Sequence, residues 1–228
     1  MKPNTIIWDF DGTILPSDPY DSEQSLLLHL LHRSQDRLSL LKRIVALAAI
    51  YADRKEWLGG SFKKYYLWIV KGTDSDAIIS VAQELAVKIS TADRQTYVDL
   101  KQDGYYMMVL SCGTRDLIEK TLQLAGLADC FSIISGNRFV YNADRITGMD
   151  YRLICPDDKL EVLKALGISA AETIAVGDGY TDLPLLNRAG LPVLIDRNGE
   201  KKRKYSNRAY CFISSIPEII ETIAENYG

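Results

Sequence analysis

The sequence predicts an α/β fold: a parallel β-sheet with helices on both faces, interrupted after its first strand by a helical insert. Three observations predict it. From about residue 91 onward, short apolar runs alternate with helical stretches, the pattern of strand–helix–strand units that build a parallel sheet. Between residues 22 and 90, apolar residues recur at helical spacing and no run reads convincingly as a strand. Near the start, Ile6-Ile7-Trp8 is a buried-strand run that ends abruptly in Asp9-Phe10-Asp11-Gly12-Thr13.

The elements follow in order. The first strand covers residues 5–9, and Pro16 and Pro19 break the connector after it. Ser22 is placed to cap a helix over 23–33. Leu38, Leu41, Val45, Ala48 and Ala52 make the next helical stripe, and Gly59-Gly60 interrupts it. Phe62, Tyr65, Tyr66 and Ile69 carry a third helix to Gly72, and Asp74 or Ser75 caps a fourth ending at Ile89. About 70 residues between two strands exceed a simple crossover, so residues 18–90 are expected to form a subdomain on a core made of 1–17 and 91–228.

In that core a helix spans 91–103, ended by Gly104, and a buried strand spans 105–110. Thr114 is expected to cap a helix reaching Leu124, and a short strand covers 131–134. Residues 138–141 can pair back on 147–151 as a small hairpin. Pro156 suits the first turn of a helix over 155–166. Strands at 172–176, 191–195 and 210–213 and helices at 182–187 and 216–226 complete the expectation.

Composition excludes several functions. The 228 residues are 47% apolar and carry a net charge of −3, which gives no electrostatic reason to expect a nucleic-acid partner. Lys201-Lys202-Arg203-Lys204 reads as a solvated helix surface. Cys112, Cys130, Cys155 and Cys211 lack metal-site spacing; three lie in or beside apolar stretches and read as small core residues of a reducing compartment. The longest apolar run, nine residues at 44–52, is far short of the about 20 needed for a membrane span. With no charged-then-apolar leader, a soluble cytoplasmic protein is expected.

Four strand ends carry chemistry-bearing residues. Asp9 and Asp11 are two apart and can face one site, at the end of the sheet where ligands bind in open α/β folds. Two such acids repel unless a cation sits between them or one is protonated, which points to Mg²⁺, a nucleophile and a general acid/base; a strand running into an acidic turn has the same residues. Ser111-Cys112-Gly113-Thr114 places a hydroxyl and free N–H groups before a helix N-terminus, a setting that favours an anion; an ordinary capping turn has the same composition. Lys159 stands in the first turn of a helix, where the helix dipole disfavours a cation, so it either reaches a phosphate or is a surface lysine offset by Asp157 and Asp158. Gly177-Asp178-Gly179-Tyr180-Thr181-Asp182 adds two acids after a buried strand, oxygen ligands suited to a hard cation or a helix-capping loop.

Together, in this order and spacing, the four motifs resemble the haloacid dehalogenase-like superfamily, most of whose members are phosphatases. The resemblance covers about residues 4–16 and 92–213. The insert resembles the C1-type helical cap of its phosphoserine phosphatase-like branch. Ser111-Cys112-Gly113 stands where that branch often has Ser-Gly-Gly, and Thr181 replaces a usual Asn. The implied fold is a Rossmann-like parallel sheet with an inserted cap. The implied activity is Mg²⁺-dependent hydrolysis of a small phosphomonoester through a phosphoaspartyl intermediate.

The resemblance also implies roles. Asp9 is the nucleophile, and Asp11 protonates the leaving alcohol and then activates water. The metal is held by the Asp9 carboxylate, the Asp11 carbonyl and Asp178, with Asp182 orienting water ligands or Lys159. Ser111, Cys112, Gly113 and Lys159 hold the phosphate. Asp18 is the expected reader of the substrate beyond its phosphate, with Asp21 and Glu23 as competitors and Arg43 or Arg54 as partners for a carboxylate. Phosphoserine, phosphoethanolamine, phosphocholine and sugar-breakdown phosphates all fit. The second acid disfavours dehalogenation. A phosphotransferase, a receiver-like signalling domain and a non-catalytic scaffold are the alternatives. The expected partner is a small phosphorylated metabolite, with no nucleic acid and no membrane, on a monomer or homodimer.

Overall fold

The computed structural model describes residues 3–32, 38–55 and 57–227. Seven strands form one sheet in the order β4-β3-β2-β1-β5-β6-β7. They are β1 (Thr5–Trp8), β2 (Tyr106–Thr114), β3 (Ile133–Asn142), β4 (Arg145–Asp150), β5 (Thr173–Gly177), β6 (Leu191–Ile195) and β7 (Cys211–Ile213). All neighbours are parallel except the β3–β4 pair. β1 lies between β2 and β5, with Trp8 opposite Val109 on one side and Val176 on the other. Strand order reverses there, so the crevice beyond the C-terminal end of β1 is the fold's natural ligand site.

Side chains of β1 alternate between two cores. Ile6 and Trp8 join the larger cluster, whereas Ile7 packs with Met108, Leu163 and Leu186 on the other face. Trp8 is fully buried with its ring edge-on to Tyr97, centroids 5.0 Å apart. Apolar burial on both faces explains why the strands read as continuous apolar runs.

Between β1 and β2 lie α1 (Ser22–His32), α2 (Leu40–Arg54), α3 (Phe62–Val70), α4 (Ser75–Ala86) and α5 (Thr91–Gln102). The expected end of the first insert helix, Arg33, lies outside the described residues. Asp74 caps α4 and Ser90 caps α5, each accepting from a backbone N–H of the first turn. The insert shares the larger buried cluster with the sheet. It also docks on the β3–β4 hairpin: the Ile146 N–H donates to the Thr73 carbonyl (2.9 Å), and the Gly72 N–H donates to the Ile146 carbonyl (2.8 Å). Phe62, Tyr66 and Phe139 stack across this seam at 5.8 and 5.9 Å.

The remaining helices are α6 (Arg115–Leu124), α7 (Asp158–Ala165), α8 (Leu183–Leu186), α9 (Glu200–Lys204) and α10 (Glu218–Tyr227). Several expectations need correction. β2 runs on through Ser111-Cys112-Gly113 to Thr114, because β3 continues to pair with it, Thr114 opposite Asn137. The short strand and the hairpin arm are therefore one strand, β3. Ser22 does not cap α1; the Asp21 carboxylate accepts from the Gln24 N–H at 2.7 Å. Thr114 stands at the α6 N-cap but its hydroxyl points elsewhere. Of the four cysteines, all free, only Cys130 is buried, and Cys155 is exposed. No helix among the described residues is long and apolar enough to cross a membrane.

Candidate active site

The end of β1 delivers Asp9 into the crevice, anchored by its N–H to the Val176 carbonyl at 2.9 Å. The chain then turns tightly: the Leu15 N–H returns to the Phe10 carbonyl (2.9 Å) and the Gly12 N–H to the Leu15 carbonyl (2.7 Å). Gly12 adopts φ +82°, and a Cβ there would collide with the Asp178 carboxylate. Glycine therefore serves both the left-handed backbone and the close approach of the two loops.

Lys159 and Asp182 complete this centre. The Lys159 ammonium, 1% exposed, donates to Asp9 Oδ1 at 2.7 Å and to Asp182 Oδ1 at 2.5 Å. The Asp182 Oδ2 accepts from the N–H groups of Asp178 (2.9 Å) and Gly179 (3.1 Å). Asp182 thus fixes both the lysine and the loop that carries Asp178. Asp9, Asp178 and Asp182 each present an oxygen within 4.8 Å of the others. An all-carboxylate set of this size fits a hard divalent cation such as Mg²⁺.

Burial and mutual repulsion set the electrostatics of these acids. Burial raises Asp9, and Asp182 adds to the effect, while Lys159 pulls the other way. Burial also raises Asp178, against Lys201. For Lys159 burial disfavours the charge, but Asp182 and Asp9 outweigh it and the ammonium is raised above its ordinary value.

Ser111 is buried on β2, the strand next to β1, its hydroxyl accepting from the Gly113 N–H at 3.0 Å. A Cβ at Gly113 would lie 3.0 Å from Asp11 Oδ2 and 3.2 Å from Ser111 Oγ, so the second and first motifs are in near contact. The Cys112 thiol is pushed up to about 11 by burial, which leaves it protonated and poorly nucleophilic at neutral pH. Asn137, fully buried, ties the loops together. Its amide donates to the carbonyls of Cys112 (2.8 Å) and Leu153 (2.9 Å) and accepts from the Arg152 and Leu153 N–H groups.

The insert reaches this centre through α1. The Ser22 N–H and hydroxyl donate to the two oxygens of Asp11, both at 2.8 Å. Burial pushes Asp11 up to about 6, and the Ser22 bonds hold it down from going higher. Next to it, Glu23 is 4% exposed. It accepts from the Thr114 hydroxyl (2.6 Å) and from Lys63 (2.5 Å).

The sequence-predicted residues Asp9, Lys159, Asp178 and Asp182 are brought together, with Asp11, Ser111, Cys112 and Gly113 along the adjoining wall. Asp18 is exposed, whereas Glu23, in the first turn of α1, is buried at the wall. Sequence reasoning missed Lys63 and Lys201. The basic run was read as solvated, and Lys202, Arg203 and Lys204 are exposed, but Lys201 donates to Asp178 Oδ2 at 2.7 Å. Its position just past a strand end on the site's side of the sheet was the available signal. Lys63 carried none beyond its charge.

Comparison with known proteins follows the same lines. A phosphoserine phosphatase of Halobacterium salinarum is 26% identical over 195 residues, covering 84% of this chain and 85% of that protein. A phosphoserine phosphatase of Methanocaldococcus jannaschii is 30% identical over 104 residues, but the match spans only 43% of this chain and 47% of that protein. Among solved structures, a substrate-bound phosphoserine phosphatase superposes with TM-score 0.71 at 17% identity, covering 97% of this chain and 99% of that one. A phosphoserine phosphohydrolase-like protein from Francisella tularensis gives TM-score 0.72 at 18% identity, covering 96% and 99%. These superpositions establish a shared fold. The haloacid dehalogenase-like hydrolase family model matches residues 6–187, and on that match the chain belongs to the haloacid dehalogenase-like hydrolases.

Proposed function

We propose that this hydrolase is a Mg²⁺-dependent phosphatase acting on a small phosphomonoester through a phosphoaspartyl intermediate. The observation that carries the reading is the buried Lys159 bridge between Asp9 and Asp182, with Asp178 alongside, at the strand-order reversal. Asp9 attacks phosphorus in line with the leaving oxygen, and a carboxylate nucleophile divides hydrolysis into two easier steps. Lys159, Ser111 and the N–H groups around Gly113 hold the phosphoryl oxygens, where positioning and charge neutralisation dominate the catalysis. Asp11 donates a proton to the leaving alcohol and takes one from the incoming water. The Asp9 and Asp178 carboxylates and the Asp11 carbonyl would hold Mg²⁺. Once bound, it would neutralise charge on the phosphoryl group.

Residues 18–90 act in this reading as a cap over the strand ends, excluding water and contacting the substrate beyond its phosphate. Glu23, backed by Lys63, replaces Asp18 as the residue that reads the substrate. Phosphoserine or a related small phosphorylated metabolite is the substrate class, supported by the names of the relatives. Four free cysteines agree with a cytoplasmic setting.

The test is direct. Purified protein should hydrolyse an aryl phosphate with Mg²⁺ and lose activity with EDTA, and Asp9→Asn should abolish turnover while the circular-dichroism spectrum is unchanged. Full activity in Asp9→Asn sinks the phosphoaspartyl mechanism. A panel of small phosphomonoesters then ranks the substrates.

A further inference from the structure

Lys201 leaves its basic run for the acidic centre, and the local fold holds it there. Lys202, Arg203 and Lys204 are exposed, whereas the Lys201 ammonium donates to Asp178 Oδ2 at 2.7 Å. Asp196, buried just past β6, accepts from the N–H groups of Lys201 (3.1 Å) and Lys202 (2.8 Å), one on each of its oxygens. Its own N–H donates to the Ile213 carbonyl at 2.8 Å. The next residue, Arg197, donates to the Thr13 carbonyl at 2.7 Å. The segment between β6 and α9 is thus tied both to the sheet and to the loop that follows Asp9.

Each of the three clustered carboxylates has an oxygen bonded to a lysine. Lys159 takes Asp9 Oδ1 and Asp182 Oδ1, and Lys201 takes Asp178 Oδ2. Asp182 Oδ2 is also taken, by two backbone N–H groups. Among the described residues no donor reaches Asp9 Oδ2 or Asp178 Oδ1. Asp9 and Asp178 therefore each keep one oxygen for a cation, and each is held through the other oxygen by a lysine. Asp178 needs such a hold. Like charge on Asp9 and Asp182 favours moving its carboxylate toward solvent, to which it is 24% exposed, and the Lys201 bond opposes that movement.

We propose that Lys201 is a positioning residue for the Mg²⁺ site: by occupying Asp178 Oδ2 it fixes that side chain and presents Oδ1 to the cation. The inference rests on the reading of Asp178 as a metal ligand. Ligating carboxylates are commonly held by outer hydrogen bonds of this kind, and losing one lowers metal affinity by about 10–100-fold. Charge alone gives the opposite sign, because removing a cation beside the site relieves its repulsion of a second one. The sign of the effect separates positioning from charge.

The experiment titrates Mg²⁺ into the full-length, metal-free protein and follows binding by calorimetry and by the rise in melting temperature, neither of which needs turnover. Asp178→Ala is the reference for a lost ligand. Lys201→Met keeps the chain length but removes the donors, and should weaken Mg²⁺ binding by about 10–100-fold. Lys201→Arg should recover much of the affinity. Lys202→Met, which makes the same change in net charge on an exposed side chain, should bind like the parent. The metal-free melting temperature of Lys201→Met should stay close to the parent's, because a partly exposed ion pair contributes little to stability. The Mg²⁺ concentration for half-maximal aryl-phosphate turnover should rise by the factor seen in calorimetry. Unchanged or tighter binding in Lys201→Met, while Asp178→Ala weakens it, overturns the positioning role. So does an equal loss in Lys202→Met, which assigns the effect to net charge, or a large fall in the metal-free melting temperature of Lys201→Met, which assigns it to folding. Parental Mg²⁺ affinity in Asp178→Ala overturns the metal-ligand reading itself and the Lys201 inference with it.

Discussion

Asp11 and Ser22 are joined by two hydrogen bonds, the serine N–H and hydroxyl each donating to a different carboxylate oxygen at 2.8 Å. The first residue connects to the nucleophile strand and the second begins the first helix of the insert. The orientation of the proposed proton donor is therefore set by where the insert sits. A hydrogen bond to a charged group contributes about 1.5–3 kcal/mol, enough to matter for a group that must deliver a proton along one line.

Ser22→Ala should slow phosphoryl transfer from an alkyl phosphate by about tenfold, the equivalent of about 1.4 kcal/mol. It should affect an aryl phosphate far less, because a good leaving group needs little protonation. Ser22→Thr should restore the alkyl reaction. Single-turnover rates on both substrates, with Asp11→Asn as reference, check this. Equal losses on both substrates for Ser22→Ala, alongside discrimination by Asp11→Asn, would show that Ser22 does not position the acid.

Glu23 and Asp18 make opposite predictions. Glu23 is buried against Thr114 and Lys63, whereas Asp18 is exposed. Glu23→Gln should lower kcat/KM on the best substrate of a phosphomonoester panel by about tenfold or more, the scale of one charge-assisted contact, and change aryl-phosphate turnover little. Asp18→Ala should leave both near the parent. A large selective loss in Asp18→Ala and none in Glu23→Gln would return the reading role to Asp18.

Gly12→Ala should damage both fold and metal affinity. The position holds φ +82°, and the added Cβ would collide with the Asp178 carboxylate. Backbone strain of this kind costs about 1–3 kcal/mol, and moving Asp178 displaces a proposed metal ligand. Thermal melting and Mg²⁺ titration of turnover measure the two effects. Parental values in both would mean that the loop around Gly12 relaxes without cost.

Asp21 gives the protein a pH-dependent stability. Burial pushes its carboxyl well above the ordinary range, and Asp11 and Glu23 push in the same direction. The folded state then holds a proton that the unfolded state releases near the ordinary value of about 3.9. Stability must fall as pH rises from there through the folded-state value. Asn at this position can still accept from the Gln24 N–H but does not titrate. Metal-free Asp21→Asn should therefore show a shallower fall in melting temperature between about pH 4 and 7. Parallel melting curves for parent and variant would contradict the assignment.

Much of this was legible in the sequence because strand ends leave local marks. Asp9, Ser111 and Asp178 each close an apolar run, and sheet alternation fixes which way they face. Gly12 announces a left-handed turn by its lack of a side chain. Lys159 was marked by its poor place at a helix start, and its partners explain that place. Alternating apolar runs and helical stretches marked the fold class, and the order of the four motifs marked the family. Other features were decided only by tertiary structure. Asp21 rather than Ser22 caps α1: the Asp21 carboxylate accepts from the Gln24 N–H, while the Ser22 N–H and hydroxyl are aimed at Asp11, at the far end of the same connector. Thr114 leaves its helix uncapped because Glu23 from the insert competes for its hydroxyl. Lys201 leaves the solvated run for Asp178 because α9 starts beside the β5 loop. Each is a long-range pairing between polar groups. Periodicity records which side of an element is buried, but not which distant partner meets it there.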